Sequence, residues 1–412
     1  IDKSYGVSIK LGYFYLYNNL CCMFPDLSYI LQFLFGSAPD GASSIVKTFG
    51  LFLTLAFLTS AYILYLEFKR KEQEGILTPH KIWIDPAAAA RPVDILINAL
   101  FGFVIGFKAV YAYQHLDAMK GDAVAVLLST KGNLIGGIIG ALVFGAIKYW
   151  DYLKVKKTNA APQEVLFHPY QLVPDITVVS AISGILGAKI FALFEGEQTW
   201  SSFMRDPVKA FFSGSGLAIY GGLIVAFITV YIYVRKKGLK PIHVMDIVAP
   251  ALILGYAVGR IGCQLSGDGD WGVVNHLPKP GWFFLPDSWW AYTYPHNILN
   301  DGVQIADCTY RHCMQLPEPV YPTPLWEALM GLAIFGILWA IRKRVKIAGM
   351  LFFIYCIFNG VERFFIEKIR VNEKIHIGSL SMTQAEIISL LVFLTGVVGC
   401  YILWKKNKTS IA

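Results

Sequence analysis

Five ionisable residues stand inside or at the ends of long apolar runs. They are Arg260 in Gly259-Arg260-Ile261-Gly262, Glu327 at the end of Tyr321-Pro322-Thr323-Pro324-Leu325-Trp326-Glu327, and Arg363, Glu367 and Arg370. A charge at membrane depth is costly and is by default a sign of function. The spacings of four and three between the last three put them on one helical face, with Glu362 turned about 100° away from Arg363. Guanidinium groups recognise phosphate oxygens through planar, bidentate and permanent positive charge. Arginines and carboxylates gathered at one depth therefore suit the phosphate of a phospholipid headgroup, or another anionic lipid-linked group. Snorkelling to the headgroups explains any single arginine, but not the glycines and carboxylates beside the set.

The elements that must position these groups are membrane-length helices. Of 412 residues, 55% are hydrophobic and only 16% charged, against about 25% charged in a soluble domain. The 60 aromatic residues (10 Trp, 22 Tyr, 28 Phe) exclude a disordered chain. Nine windows are long and apolar enough to cross a bilayer as helices, roughly 49–66, 93–113, 132–150, 176–194, 216–234, 246–265, 324–341, 349–366 and 382–404. Their apolar runs are continuous, unlike the alternation of barrel strands. The fold class expected is an all-α polytopic membrane protein of about nine transmembrane helices, with a small outer-face (periplasmic) cap.

Basic clusters fall on one side of these spans: Lys69-Arg70-Lys71, Lys148 with Lys154 to Lys157, Arg235-Lys236-Lys237, Arg342-Lys343-Arg344 and Lys405-Lys406. By the positive-inside rule that side is cytoplasmic, which puts the N-terminus outside and the C-terminus inside. The net charge of +8 is then topology signal plus attraction to anionic headgroups, and nucleic acid is not an expected partner. The organisation expected is an outer-face interfacial segment over 1–48, a first span and basic cytoplasmic loop over 49–84, and an inserted pair of spans over 85–157. Core spans over 158–265 follow, then a cap loop over 266–323 and C-terminal core spans over 324–412. The cap loop is Trp-, Pro- and Gly-rich and too long for a mere connector; a cap over the outer mouth and an interfacial aromatic belt are both open to it. Cys308 and Cys313 lie in it, where a disulfide is permitted. The adjacent glycines Gly221-Gly222 let either a helix or a lipid chain approach the backbone.

These residues resemble the motifs of the prolipoprotein diacylglyceryl transferases. The stretch from Gly259 to Gly272, reading GRIGCQLSGDGDWG, resembles the family's G-R-x-G-N-F-x-N-G-E-x-x-G. Tyr321 to Glu327 resembles its H-P-T-Q-L-Y-E, and Asn359 to Arg370 its Y-G-x-x-R-F-x-I-E-x-x-R. Ser215 to Gly222 is similar to its G-L-x-x-H-G-G, Ser381 to Gln384 to the M-x-Q opening its last span, and Thr48-Phe49-Gly50 to its first-span W-Y-G. Six motifs in the family's order are specific together. Residues 85–150 resemble an insertion found in longer members.

The resemblance implies an enzyme of bacterial lipoprotein biosynthesis, a multi-pass protein of the bacterial inner membrane. Its reaction moves the diacylglyceryl group of phosphatidylglycerol to the lipobox cysteine thiol of a prolipoprotein signal peptide, forming a thioether and releasing glycerol phosphate. No cofactor or metal is implied, because guanidinium groups already neutralise the phosphate. Carried onto this chain, the resemblance has Arg260 and Arg363 hold the headgroup phosphate and Arg370 support them by pairing with Glu367. Glu327 orients an arginine or a polar substrate group. Asp268, which replaces a family Glu, hydrogen-bonds at the mouth. Gly221, Gly222, Ser266, Phe49 and Gln384 complete the expected substrate-binding set.

Several positions depart from the family. Tyr220 stands where the family has the His proposed as thiol base, and a Tyr with an ordinary pKa near 10 is a poor base at neutral pH, though its hydroxyl can donate to a phosphate or ester oxygen. Cys263 and Ser266 replace two Asn, and Phe49 replaces a Tyr. Either a carboxylate such as Glu362 or Glu367 serves as base, or the thiol ionises without one. Two alternatives stand beside the transferase reading: a transporter or flippase for an anionic lipid, and an inactive relative that binds lipoprotein precursors.

Overall fold

The computed structural model describes residues 23–84, 92–158, 163–194, 197–205, 207, 218–372, 374–377 and 380–411. Residues 1–22 of the expected outer-face segment and the Ser215-Gly216-Leu217 part of the glycine motif lie outside them. The helices are α1 (Leu27–Phe35), α2 (Thr48–Gln73), α3 (Pro92–Gln114), α4 (Leu116–Leu128), α5 (Leu134–Thr158), α6 (Val173–Ala192), α7 (Glu197–Arg205), α8 (Ile219–Lys236), α9 (Pro241–Ser266), α10 (Thr323–Ile341), α11 (Met350–Glu367) and α12 (Gln384–Ile411). Among the described residues, eight spans qualify for a bilayer by length and composition: α2, α3, α5, α8, α9, α10, α12 and the stretch Pro169–Ala192 that α6 completes. The ninth expected span is α11, which forms as a helix of 18 residues but carries Glu362, Arg363 and Glu367 in its last turns. The helix α4 and three two-stranded ribbons were not foreseen, because none reaches membrane length.

Two compact units divide the chain, one from residues up to 64 and from 240 onward, the other from 65–239. In the first, α9 packs on α10 and α11, and α11 on α12. Their shared core is Ile253, Ile334, Leu338 and Leu351, with Tyr256 and Phe335 against it. Small residues let the partners close in. A Cβ on Gly262 would fall 2.5 Å from the Phe52 Cβ of α2, and Ser60 of α2 donates to the Ala251 carbonyl at 3.0 Å. At the far end the buried Asp246 of α9 accepts from the Gly349 and Phe352 amides at 2.8 and 3.1 Å. A carboxylate there satisfies orphan donors and complements the dipole at the start of α11. This fixes where α11 begins, and hence where its charged last turns lie.

The loop after α9 folds on its own core of Met23, Tyr292, Tyr294, Leu316 and Val320, with Trp271 packed against it. It carries the short ribbon of β3 (Val303–Gln304) and β4 (Met314–Gln315). Cys308 and Cys313 are disulfide-bonded, their Cα atoms 5.6 Å apart. The Trp290 and Trp326 indoles donate to the Leu277 and Trp289 carbonyls, whereas Trp282 and Phe284 are exposed. The loop thus holds both packed and exposed aromatics. Tyr29 of α1 ties the chain ahead of α2 to this cap by accepting from the His312 amide at 3.3 Å.

His312 gives the cap an acid sensitivity. Burial, then the nearby Lys47, lowers its pKa from 6.5 to about 4. Between those values the unfolded chain binds the extra proton, so stability rises with pH and is lost as pH falls from 6.5 toward 4. The thermal midpoint should drop over that window, and His312→Asn should flatten the dependence. An unchanged slope in the variant would place the sensitivity elsewhere.

In the second unit, β1 (His80–Ile84) pairs antiparallel with β2 (Gln163–Phe167), from His80 opposite Phe167 to Ile84 opposite Gln163. The chain between them holds α3, α4 and α5. Gly102 and Gly106 of α3 meet Gly136 and Gly140 of α5 so closely that a Cβ on Gly106 would fall 2.1 Å from the Gly136 carbonyl oxygen. Such small-residue faces let membrane helices pack backbone to backbone. The same device joins α6 and α8: a Cβ on Gly222 would meet the Gly184 carbonyl at 2.8 Å, and one on Gly221 would overlap Phe191.

Candidate functional site

Three helices of the first unit bring their charges together. Arg260 lies in the last turns of α9, Glu327 in the first turns of α10, and Arg363 and Glu367 close α11. Glu327 is fully buried and central. Its Oε2 lies 3.0 Å from Arg260 Nε, and its Oε1 2.9 Å from Arg363 Nη1 and 3.3 Å from Arg370 Nη1. One carboxylate therefore sets the spacing of three guanidinium groups. Glu367, one turn beyond Arg363, pairs with its Nη2 at 3.0 Å. Glu367 also accepts from Asn372 Nδ2 and from the Thr383 hydroxyl at 2.5 and 2.9 Å.

The expected pair of Arg370 with Glu367 does not form. Helix α11 ends at Glu367, so the three-residue spacing to Arg370 no longer measures a helical face. The chain turns at Lys368 and Arg370 bridges Gly272 in extended form. That redirects its guanidinium to Glu327 and to Asp270, whose Oδ1 is 2.5 Å from Arg370 Nη2. The other Asp270 oxygen pairs with Arg260 Nη1. Three arginines and three carboxylates thus form one network. Asp270 was not foreseen because it sits in a polar loop, where a charge is unremarkable. Burial opposes its ionisation, but the Arg260 and Arg370 guanidiniums prevail and hold its pKa below the ordinary carboxylate range.

The backbone places Asp270 through glycines. Gly267 caps α9 in the left-handed region at φ 62° and Gly269 turns at φ 96°. The Thr323 hydroxyl then donates to the Asp270 carbonyl at 2.6 Å, and the Gly272 amide to Tyr321 at 2.9 Å. Asp268 lies beside Asp270 but ion-pairs with none of the three arginines. It accepts from the Asp270 amide at 3.4 Å, and burial, then the charge of Asp270, raises its pKa. Cys263, Asp268 and Asp270 bring a thiol and two carboxylates within 4.8 Å of one another. The two guanidiniums already on Asp270 oppose a cation there.

Tyr256, four residues before Arg260 on the same face of α9, is a second unforeseen member. Its ring lies under the Arg260 guanidinium at 5.2 Å, and its hydroxyl donates to Glu362 Oε1 at 3.2 Å. The buried Glu362 Oε2 has no hydrogen-bond partner among the described residues. The spacing to Arg260 was the available signal, lost among the other aromatics of the spans.

The remaining expected residues are placed as follows. Ser266 is buried and turns its hydroxyl back to the Cys263 carbonyl at 3.3 Å. Phe49, partly exposed on α2, lies beside Gly262. Gln384 opens α12 on its exposed side, while the neighbouring Thr383 and Glu386 cap that helix reciprocally. Tyr220, Gly221 and Gly222 belong to the second unit, where both glycines serve the packing of α8 on α6.

Comparison with known proteins matches the sequence that builds this arrangement to a family model and to named relatives. The family model described as prolipoprotein diacylglyceryl transferase matches residues 155–402. A phosphatidylglycerol–prolipoprotein diacylglyceryl transferase of Finegoldia magna is 32% identical over 227 residues, covering 54% of this chain and 75% of that protein. Its counterpart in Clostridioides difficile is 28% identical over 278 residues, 67% of this chain and 90% of the relative. That of Corynebacterium glutamicum strain ATCC 13032 is 29% identical over 241 residues, 58% and 72%. The charged ends of α9, α10 and α11 all fall within the matched region, and the chain belongs to the prolipoprotein diacylglyceryl transferase family.

Proposed function

We infer that this chain is a phosphatidylglycerol–prolipoprotein diacylglyceryl transferase, acting in the first step of lipoprotein maturation. The observation that carries the reading is the set of three arginines fixed around one buried glutamate at the ends of three helices. Arg260, Arg363 and Arg370 bind the phosphate of phosphatidylglycerol. The acceptor is the lipobox cysteine of a prolipoprotein signal peptide. Its thiolate attacks the glycerol carbon of the diacylglyceryl group; the S–C bond forms as the bond from that carbon to the phosphate oxygen breaks. Glycerol phosphate leaves, and the guanidiniums stabilise the charge gathering on it. The thiol proton passes to Glu362, whose buried Oε2 has neither a hydrogen bond nor an ion pair among the described residues, rather than to Glu367, whose oxygens Arg363, Asn372 and Thr383 engage. Ser266, Asp268, Phe49 and Gln384 contribute to substrate placement on the family's pattern.

The positive-inside distribution of Lys and Arg supports the bacterial inner membrane with the N-terminus outside and the C-terminus cytoplasmic, so that the site faces outward. The β1–β2 ribbon supports reading the spans between its strands as an insertion. To test the function, purified chain is incubated with phosphatidylglycerol and a lipobox peptide, and thioether-linked lipid is sought by mass spectrometry. Product should form, and Arg260→Ala or Arg363→Ala should lower kcat/KM by about 10²–10³-fold. Lipid moved between leaflets without product would favour a flippase, and full activity in the arginine variants would refute the site.

A further inference from the structure

The arginines that would bind a phosphate are already occupied by carboxylates, and the three carboxylates are not alike. Glu327 and Glu367 are fully buried and carried by helices. Asp270 is carried by a loop and its side chain is one-third exposed. Its two oxygens bridge Arg260 and Arg370, as two non-bridging oxygens of a phosphate would. Its backbone is held by Thr323 and by the neighbouring Gly272. The carboxylate can therefore leave by side-chain rotation without opening the loop.

Charge gives the exchange a direction. Arg260, Arg363 and Arg370 balance Glu327, Glu367 and Asp270. With Asp270 turned away, one positive charge is left over, which matches the single negative charge of a phosphodiester. A phosphomonoester carries close to two negative charges at neutral pH, and so overfills the site. Asp270 stays ionised at neutral pH and remains a competitor throughout.

We propose that Asp270 is an internal stand-in for the lipid phosphate, displaced by the phosphodiester substrate and returning to expel the phosphomonoester product. The role in product release rests on the transferase reading; the anion exchange itself is tested by binding alone. Calorimetry on the purified chain with glycerol phosphate should show Asp270→Asn binding about tenfold more tightly than the unmodified chain. Asp270→Glu, which keeps the charge, should stay near the unmodified value. Equal or weaker binding by a folded Asp270→Asn would overturn the proposal. A second measurement needs no variant: glycerophosphoglycerol, a soluble diester, should bind the unmodified chain more tightly than glycerol phosphate, and inorganic phosphate no better than the monoester. An equal or reversed order of diester and monoester would overturn it as well. Loss of thioether product in the unmodified chain would defeat the transferase reading and leave these affinities to be judged separately.

Discussion

Glu327→Gln should cost the protein both its activity and much of its stability. The side chain is fully buried and ion-pairs with Arg260, Arg363 and Arg370. Gln keeps the shape but removes the charge, leaving three guanidiniums facing two carboxylates. Taking away one partner of a buried ionic network costs about 3–5 kcal/mol, because the remaining charge is uncompensated. The arginines would also lose the contact that sets their spacing, so a phosphate would no longer meet them in one geometry. A fall of about 10²–10³-fold in kcat/KM is expected. Thermal unfolding of the purified variant and thioether formation check the two effects separately. Glu327→Asp is the informative control: it restores the charge on a shorter arm, so stability should recover more than rate. A variant as stable and active as the parent would mean that the network is a crossing of surface charges and not a positioned site.

How much of this was legible in the sequence depended on contrast. Arg260, Glu327, Arg363 and Glu367 stood out because a charge in an apolar helix has few bland explanations. Asp270 carries the same charge but sits in a Gly- and Asp-rich loop, where nothing in its surroundings marks it. Arg370 was visible as a residue but not as a contact, since its partner depends on α11 ending at Glu367 and the chain then running extended beside Gly272. Apolar periodicity does not encode such an ending. The β1–β2 ribbon was hidden for another reason: five-residue strands such as HKIWI and QEVLF are too short to separate from linker. Gly221-Gly222 shows a motif read with the right chemistry and two open uses. The described contacts assign both glycines to helix packing, a use that spacing alone could not separate from lipid approach.

Glu362→Gln should separate proton transfer from phosphate binding. Glu362 and Arg363 are neighbours on α11 but face different partners. Arg363 is committed to Glu327 and Glu367, whereas Glu362 takes one hydrogen bond from Tyr256 and keeps a buried oxygen with no hydrogen-bond partner among the described residues. Its amide should leave the arginine network and the KM for phosphatidylglycerol nearly unchanged. It should lower kcat by about 10²–10⁴-fold, the range supplied by a positioned general base. A merely structural carboxylate could produce a loss of that size through misfolding, so the decisive comparison changes the substrate. A lipobox peptide bearing selenocysteine presents a selenol that is already ionised at neutral pH and needs no base. The defect of Glu362→Gln should shrink sharply with that peptide, while the defect of Arg363→Ala should persist, because the phosphate still has to leave. Equal defects with both peptides would remove Glu362 from the proton path. Tyr256→Phe then serves as the graded case: it deletes the hydroxyl on Glu362 Oε1 but leaves the ring beneath Arg260, so it should shift the pH–rate profile more than it lowers the maximal rate.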